Sequence, residues 1–337
     1  MAVETQAQPE VKLLPLQPVD AVTVTILVDN VSDMILQNQG PAKRPGLGDA
    51  RASRLPAAFL EGGEVIDAPL AEHGFSALVT ITRNGEEHHA LFDAGLTPDG
   101  VVENMRRLSL SPKDIEAIVL SHGHFDHTTG LDGIVRALGR PNLPVIIHPE
   151  FWSRRRIVVP GREPFELPST SKSALRGAGF DIIEEKQPSF LLDGSLLVTG
   201  EVDRTTEFER GFLLHQAFRD GEWRPDPLIL DDQAVVVNVR DRGLVVITGC
   251  GHSGVVNILR YAQKLTGIER IYAVIGGFHL NGPLFEPIIP RTCEALAAMA
   301  PEVIVPAHCT GWRATHALAA AFPDAFIPNS VGTRYEL

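Results

Sequence analysis

Residues 121–130 constrain this chain more than any other segment. Within six positions they contain three histidines and a carboxylate: His122, His124, Asp126 and His127. The largely apolar residues 115–120 precede them and predict a buried strand, so the cluster lies in a loop at a strand end. Residues 122 and 124 of an extended loop can point to one side, while 126 and 127 turn toward a neighbouring point. Because imidazoles and carboxylates bind borderline divalent metals, one loop can serve two ions; a solvated surface turn is the alternative.

The rest of the sequence alternates between strand-like and helix-like segments. Strands are predicted at residues 22–28, 75–81, 89–92, 145–147, 191–199, 234–239, 244–248, 271–275 and 303–305. Helices are predicted after the pair Thr129 and Asp132, from about Ser171, after Ser253 as a capping residue, and near residues 291–300. Such alternation is typical of a layered α/β fold, in which ligand sites lie at strand ends.

Three further segments share one form, an apolar strand that ends in glycine or proline and is followed by a histidine. These histidines are His252, His279 and His308. Glycine permits unusual backbone angles, so such a histidine can turn inward at the edge of a sheet. A single histidine in this context is more often structural than a ligand. Three of them beside a metal loop favour a shared site.

Composition limits the classes of function to consider. The 337 residues include 42 acidic and 30 basic side chains, a formal charge of −12, which disfavours nonspecific binding of nucleic acid. No apolar run approaches the roughly 18 residues that a membrane span needs, and no secretory signal is visible. We therefore expect a cytoplasmic protein with neither nucleic-acid nor membrane partners. Residues 154–156, a run of three arginines, are interpreted as a solvated helix face.

The domain organisation follows from periodicity and loop length. Residues 1–20 lack periodicity, and we expect them to form a flexible N-terminal arm. Residues 21–337 are expected to form a single domain with loop insertions near 36–70 and 216–232. A loop as long as the first insertion is commonly a lid or a contact in a homodimer. The three cysteines, Cys250, Cys293 and Cys309, are too few for a disulfide framework.

The His-x-His-x-Asp-His signature resembles that of the metallo-β-lactamase superfamily. This resemblance implies an α/β fold, a four-layer αββα sandwich that carries one or two metals at its edge. With residues 91–95, 200–204 and the three later histidine segments, the chain resembles the branch of dihydropterin-ribofuranosylaminobenzene phosphate synthase-like proteins. The resemblance covers most of residues 22–334.

The resemblance also implies a ligand set. His122 and His124 would hold the first metal, with His252 as the third ligand, while Asp126, His127 and His308 would hold the second. At the position of the family's bridging aspartate this chain has Cys250, which is either a thiolate ligand or a small buried packing residue. Two divalent ions are expected, zinc first, with manganese or iron as alternatives.

Several residues around this set receive secondary roles. Glu201 is a rival ligand for the first metal or a simple turn carboxylate, and Asp93 is expected to orient ligands by hydrogen bonding. Arg204 and Asn30 are candidates for substrate binding or for loop stabilisation. No site role is predicted for the remaining histidines, His73, His88, His89, His148, His215 and His316.

The expected chemistry is that of a metallohydrolase. A metal-activated hydroxide would attack a small anionic ester, lactone or phosphodiester, with Asp126 orienting it and His279 donating a proton. The alternatives are a synthase-like transferase of the dihydropterin branch and a binding or signalling module without catalysis. A di-iron redox protein is disfavoured, because such relatives usually carry glutamate at the position of His124. A nuclease is disfavoured by the acidic charge.

Overall fold

The structure is a computed structural model that describes residues 13–46, 53–139 and 142–337. Its strands as far as residue 147 are β1 (Pro18–Val19), β2 (Ala21–Val28), β3 (Ala42–Lys43), β4 (Arg54–Pro56), β5 (Glu64–Ile66), β6 (Ser76–Arg83), β7 (Glu86–Phe92), β8 (Ala117–Val119) and β9 (Pro144–Ile147). The later strands are β10 (Arg155–Ile157), β11 (Phe165–Leu167), β12 (Asp181–Glu184), β13 (Ser189–Leu191), β14 (Leu196–Val198), β15 (His215–Arg219), β16 (Glu222–Pro225), β17 (Ala234–Val239), β18 (Gly243–Thr248), β19 (Ile271–Gly277), β20 (Val303–Ala307) and β21 (Arg334–Glu336).

The α-helices are α1 (Gly100–Arg107), α2 (Leu131–Leu138), α3 (Lys172–Ala178), α4 (Val255–Thr266), α5 (Ile289–Met299) and α6 (Trp312–Ala321). Short 3₁₀ helices lie at Pro112–Asp114, Phe125–His127, Pro149–Trp152, Leu192–Gly194, Glu286–Ile288 and His308–Thr310. The strand predicted at residues 191–199 is in fact a hairpin of β13 and β14, because the chain turns at Leu192–Gly194. No helix in the described part of the chain is long and apolar enough to span a membrane.

Two mixed sheets pack face to face, and helices cover both outer faces. The described strands of the first sheet run in the order β13-β14-β17-β18-β19-β20, with β1 beside β17, and those of the second in the order β12-β9-β8-β7-β6-β2-β21-β3. Buried side chains from both sheets, such as Val24 and Val245, form the central core. Helices α4, α5 and α6 pack on the first sheet, and α1, α2 and α3 on the second. The predicted four-layer αββα sandwich is confirmed.

Strand direction brings the polar loops together. Strands β7, β8 and β9 are parallel, as are β18, β19 and β20. The carboxyl ends of parallel strands meet at one edge of a sheet, and ligand sites in layered folds lie there. The candidate residues follow these ends: Asp93 after β7, the 121–130 loop after β8, Cys250 after β18, His279 after β19 and His308 after β20.

The three arginines of residues 154–156 lie at the start of a strand, so their interpretation as a helix face was wrong. Strand β10 belongs to a separate four-stranded antiparallel sheet of order β11-β10-β15-β16. Arg155 is almost completely buried and forms an ion pair with Asp231, whereas Arg154 and Arg156 lie over the ring of Trp223. The alternation of a strand therefore places the middle arginine inside and its neighbours outside.

The segments predicted as arm and insertions have partly regular structure. Residues 1–12 of the arm and 47–52 of the first insertion lie outside the described residues. The Leu14 amide donates to the Leu265 carbonyl, Leu16 is buried and β1 pairs with β17, so the packed part of the chain starts before Val22. Within the insertions, β4 pairs with β5 and β15 with β16 as hairpins.

Neither predicted capping residue caps its helix. The N-cap of α2 is Gly130 without a side-chain bond, and Thr129 Oγ1 donates to the Phe125 carbonyl instead. The N-cap of α4 is Gly254, while the amide and hydroxyl of Ser253 both donate to Asp232. Gly254 has φ of +92°, and an added Cβ would lie 2.2 Å from the carboxyl carbon of Glu209. Close approach and backbone conformation therefore select glycine there.

Candidate metal centre

The first half of the 121–130 loop forms a compact histidine group with the loop after β18. His122 Nε2 lies 2.9 Å from His124 Nδ1, and His252 Nε2 lies 3.3 Å from the same atom. All three rings are buried. Burial lowers the pKa of His122, His124 and His252 well below the usual value. Neighbouring histidines lower these pKa values further, and Arg155 does so for His122 and His124. Three neutral imidazoles thus point their nitrogens at one place.

A second group lies beside the first. Asp126, His127, Cys250 and His308 each place one donor atom so that all four lie within 4.8 Å of one another. His308 Nε2 is 3.3 Å from Asp126 Oδ2, and His127 Nε2 is 3.2 Å from Cys250 Sγ. His308 Nε2 is buried without a hydrogen-bond partner in the described residues, which is unusual for a buried polar atom.

Cys250 belongs to both groups. Its sulfur lies within 4.8 Å of donor atoms of His122 and His252 as well as of the second group. The expected position of the bridging aspartate is therefore occupied by a thiol at the boundary between the groups. Burial raises the pKa of this thiol well above its usual value. A third group joins Cys250 to His279 and Cys309, whose Sγ donates to the Cys250 carbonyl at 3.3 Å.

Charge is concentrated in the second group. Although burial opposes it, the carboxylates of Asp93 and Asp126 raise the pKa of His127 to about 9. Burial likewise opposes ionisation of Asp126, but His127 and His308 hold its pKa far below the usual range. Without bound metal, the first group is therefore neutral at pH 7, and His127 in the second group is an imidazolium beside two carboxylates. Binding of a metal by His127 would release this proton.

Asp93 is hydrogen-bonded to His127 of the second group and, through Ser121, is connected to His122 of the first group. Its carboxylate is fully buried and accepts from His127 Nδ1 at 2.7 Å, from Ser121 Oγ at 2.7 Å and from the Ser121 amide at 2.6 Å. Ser121 Oγ is also 2.9 Å from His122 Nδ1. Gly249 packs on this network, since an added Cβ would lie 2.1 Å from Ser121 Oγ and 2.7 Å from Asp93 Oδ2.

His215 contacts the cluster, so its assignment as a residue without a site role was wrong. Its Nε2 lies 3.1 Å from His124 Nε2, and its Nδ1 lies 3.1 Å from the Asp226 carbonyl. A partner of this kind fixes the ring and tautomer of a metal-ligating histidine. His73 also lies at the site, with Nε2 3.5 Å from Asp126 Oδ2. No local sequence pattern distinguishes either histidine.

A buried ion pair supports the loop from below. The Arg155 guanidinium donates to both carboxylate oxygens of Asp231, through Nη1 at 2.9 Å and through Nη2. Asp231 also accepts from the Gly123 amide at 2.8 Å, between the two histidines of the first group. Loop position thus depends on a buried charge pair, and removal of one partner would leave an uncompensated charge. Sequence reasoning missed both residues.

Of the remaining candidates, Asn30 and Arg204 form hydrogen bonds to backbone carbonyls, and Glu201 lies outside the two donor groups. The side-chain amide of Asn30 donates to the His308 carbonyl at 3.0 Å, and Arg204 donates to the His252 carbonyl at 3.2 Å. Both side chains thus contact the backbone of loops that carry candidate metal ligands. Glu201 belongs to none of the ligand groups found among residues 13–46, 53–139 and 142–337. It forms an ion pair with Lys186 at 2.7 Å and lies 3.6 Å from His148.

His279 forms the wall between the cluster and an adjacent cavity. Its ring centroid lies 4.2 Å from that of His252 and 4.5 Å from that of Phe285. Its Nδ1 has no hydrogen-bond partner in the described structure. The side chain therefore offers an unsatisfied nitrogen next to the first group.

The αββα sandwich carries, at one edge, two adjoining groups of histidine, carboxylate and thiol side chains that could hold metal ions. These features together define a class of metal-binding sandwich proteins. The family model described as "Metallo-beta-lactamase superfamily" matches residues 71–263, and the chain belongs to this superfamily.

Among its relatives is the 7,8-dihydropterin-6-methyl-4-(beta-D-ribofuranosyl)-aminobenzene-5'-phosphate synthase of Methanocaldococcus jannaschii. The two are 30% identical over 264 residues, which cover 76% of this chain and 87% of the relative. An uncharacterized protein of the same organism is 33% identical over 245 residues, 72% of this chain and 86% of that protein. The crystal structure of Tm1679, a metal-dependent hydrolase of the beta-lactamase superfamily, is similar with a TM-score of 0.67 and 25% identity, covering 94% of this chain and 99% of that one.

Proposed function

We propose that this chain is a metal-dependent hydrolase with two divalent ions, zinc first, and a small anionic ester, lactone or phosphodiester as substrate. The observation that carries the proposal is the pair of adjoining donor groups that share Cys250. The structural similarity to a metal-dependent hydrolase supports the reaction class.

The donor set fits such ions. Neutral imidazoles, a carboxylate and a sulfur are ligands typical of zinc. The close approach of His122 Nε2 to His124 Nδ1 is explained if these two nitrogens share the first cation. His308 Nε2, which has no hydrogen-bond partner among the described residues, is explained if it binds the second cation. His122, His124 and His252 would hold the first ion, and Asp126, His127 and His308 the second, with Cys250 between them. Bound ions supply Lewis acidity and lower the pKa of water.

The protein's own groups position the reactants and move protons. Asp126 stays ionised at neutral pH, so its carboxylate accepts a hydrogen bond from the attacking water and orients it. His279 lines the cavity, and its buried Nδ1 has no hydrogen-bond partner among the described residues, so the ring would donate to the developing oxyanion or to the leaving group. Asp93 keeps His127 and Ser121 in place through its three hydrogen bonds.

Substitution of the metal loop tests the proposal. His122→Ala and Asp126→Ala should abolish turnover of a panel of lactones and phosphodiesters and lower the metal content measured by plasma emission. His316→Ala, a histidine exposed on α6, is the matched control and should retain both. Full activity of the two loop variants, or of protein stripped of metal, would refute the mechanism.

A second candidate is condensation rather than hydrolysis. The similarity to a synthase whose name specifies a dihydropterin and an aminobenzene ribosyl phosphate favours it. The panel should therefore include pterin precursors offered together with an aryl-ribosyl phosphate. Formation of a joined product in preference to hydrolysis of any ester would replace the hydrolase assignment by the transferase.

A further inference from the structure

A cavity of about 340 Å³ opens next to the first histidine group and shares His252 and His279 with it. This volume lies at the lower end of the range of about 300–1,000 Å³ for small-molecule sites. It therefore has room for one compact group rather than for an extended chain.

Much of the cavity wall is apolar and rich in aromatic rings, and Glu207, Glu209 and Arg210 also line the cavity. The apolar part includes Phe208, Phe278, Leu280, Leu284 and Phe285. Phe278 and Leu280 are almost completely buried in the core beneath α4 and α5, so this side of the wall is held by packing. Phe285 stands nearly perpendicular to His279, with an interplanar angle of 89°. Aromatic ligands favour such edge and face contacts.

Two guanidinium groups lie at the same cavity, and that of Arg210 donates to the Glu207 carbonyl. Arg291 also lines the cavity and places its Cζ 4.6 Å above the ring of Phe208. Its ion pair among the described residues is with Glu207, at 3.8 Å, and both side chains are largely in solvent. This long, exposed contact is weak. Arg291 therefore presents planar N–H donors that suit a carboxylate or phosphate.

We propose that this cavity binds a planar aromatic group of the substrate that carries an anionic substituent, and that Arg291 determines specificity by binding this anion. The inference rests on the proposed function, since it places the ring beside the ligands that would act on the scissile bond. The ring would pack against Phe285 and Phe208, and the anion would lie over the guanidinium at the mouth.

The assignment is tested by calorimetry on the metal-loaded protein, which measures the binding of 2-naphthoate and of its neutral analogue 2-naphthamide. Arg291→Gln should weaken the binding of naphthoate about fivefold, as expected for loss of a half-exposed ion pair, and it should leave the affinity for naphthamide unchanged. Arg313→Gln removes an exposed arginine that is paired with Glu286 and does not line the cavity, and it should change neither affinity.

A cavity-filling variant tests the ring site. Leu284→Trp adds volume to a partly exposed wall residue, and it should abolish binding of both ligands without changing metal content. Leu70→Trp at an exposed leucine outside the cavity lining is the matched control. If Arg291→Gln and Leu284→Trp bind both ligands with the affinity of the wild type, the anion contacts the metals or another surface, and the assignment of the cavity is wrong.

Hydrolysis of small substrates without an aromatic ring separates this proposal from the proposed function. If naphthoate binding depends on Arg291 and Leu284 while no ester, lactone or phosphodiester is hydrolysed, the cavity assignment holds and the reaction assignment fails. If methyl esters or small lactones are hydrolysed but naphthoate does not bind the wild type, the reaction assignment holds and the cavity assignment fails.

Discussion

Replacement of Asp93 by asparagine should weaken the metal centre without removing a metal ligand. The carboxylate accepts three hydrogen bonds, two from Ser121 and one from His127, with distances of 2.6 to 2.7 Å. Asparagine keeps the shape but has one acceptor oxygen, and its NH₂ group must face at least one of these donors. The variant therefore loses a charge and leaves a buried donor unpaired.

The size of the effect follows from these contacts. Hydrogen bonds to a charged group contribute about 1.5–3 kcal/mol each, so Asp93→Asn should lower the free energy of unfolding by about 2–3 kcal/mol. Loss of a carboxylate that orients a metal-ligating histidine typically weakens metal binding about 10–100-fold. The effect should appear in both donor groups, because Ser121 connects Asp93 to His122 while His127 is bonded directly.

Competition with a chromophoric chelator measures the affinity, and urea denaturation measures the stability. The matched control is Asp67→Asn, since Asp67 is also buried and also accepts side-chain hydrogen bonds, from Ser53, Arg106 and Arg107, but belongs to no ligand group. It should destabilise the protein to a similar extent and leave metal affinity unchanged. Equal metal affinities for wild type and Asp93→Asn would refute the orienting role.

Three further predictions concern the thiol, the additional histidine and a buried carboxylate. Cys250→Ser should lower metal stoichiometry by plasma emission, whereas Cys309→Ser should not; equal stoichiometries would exclude Cys250 as a shared ligand. His215→Phe removes the contact with His124 and should weaken metal binding about tenfold, with partial recovery in His215→Gln. Burial raises the pKa of Glu209 from 4.5 to about 6, so the folded protein favours the neutral carboxyl group. The contribution of Glu209 to the free energy of unfolding therefore falls by about 2 kcal/mol as the pH rises from about 4.5 through 6. Urea denaturation should find that the wild type loses about 2 kcal/mol of stability relative to Glu209→Gln over this pH range, and parallel pH profiles of the two proteins would contradict the prediction.

The cluster of candidate ligands in the 121–130 loop was predictable because its signal is local. Four donors lie within six positions, and the strand before them is a continuous apolar run. The histidines at 252, 279 and 308 were recognisable only through a shared context of strand, glycine or proline and histidine. The layered architecture followed from alternation of elements and from the resemblance, and the αββα arrangement agrees with it.

The supporting contacts were not predictable because they are formed between distant segments. His215 lies 91 residues from His124, and Arg155 lies 76 residues from Asp231. His215 and Arg155 both belong to an additional antiparallel sheet, and its short strands have no strong periodicity in the sequence. A run of arginines favours a solvated surface on composition alone. Only the alternation of side chains along β10 places Arg155 against Asp231, the carboxylate that accepts a hydrogen bond from the loop at Gly123.

The edge of the sandwich also carries backbone strain. Asp93, His279 and His308 adopt left-handed conformations, with φ of +59°, +43° and +48°. For residues other than glycine such conformations cost on the order of 1–3 kcal/mol each and persist where surrounding contacts fix them. The His308 amide donates to buried Asp29 at 2.7 Å, and the Asp93 amide donates to the Val119 carbonyl at 2.9 Å. Each left-handed residue follows a strand, so the turn directs its side chain across the sheet edge toward the same cluster. Strain at these strand ends therefore allows candidate ligands from separate loops to converge, and the surrounding core stabilises an arrangement that the local backbone disfavours.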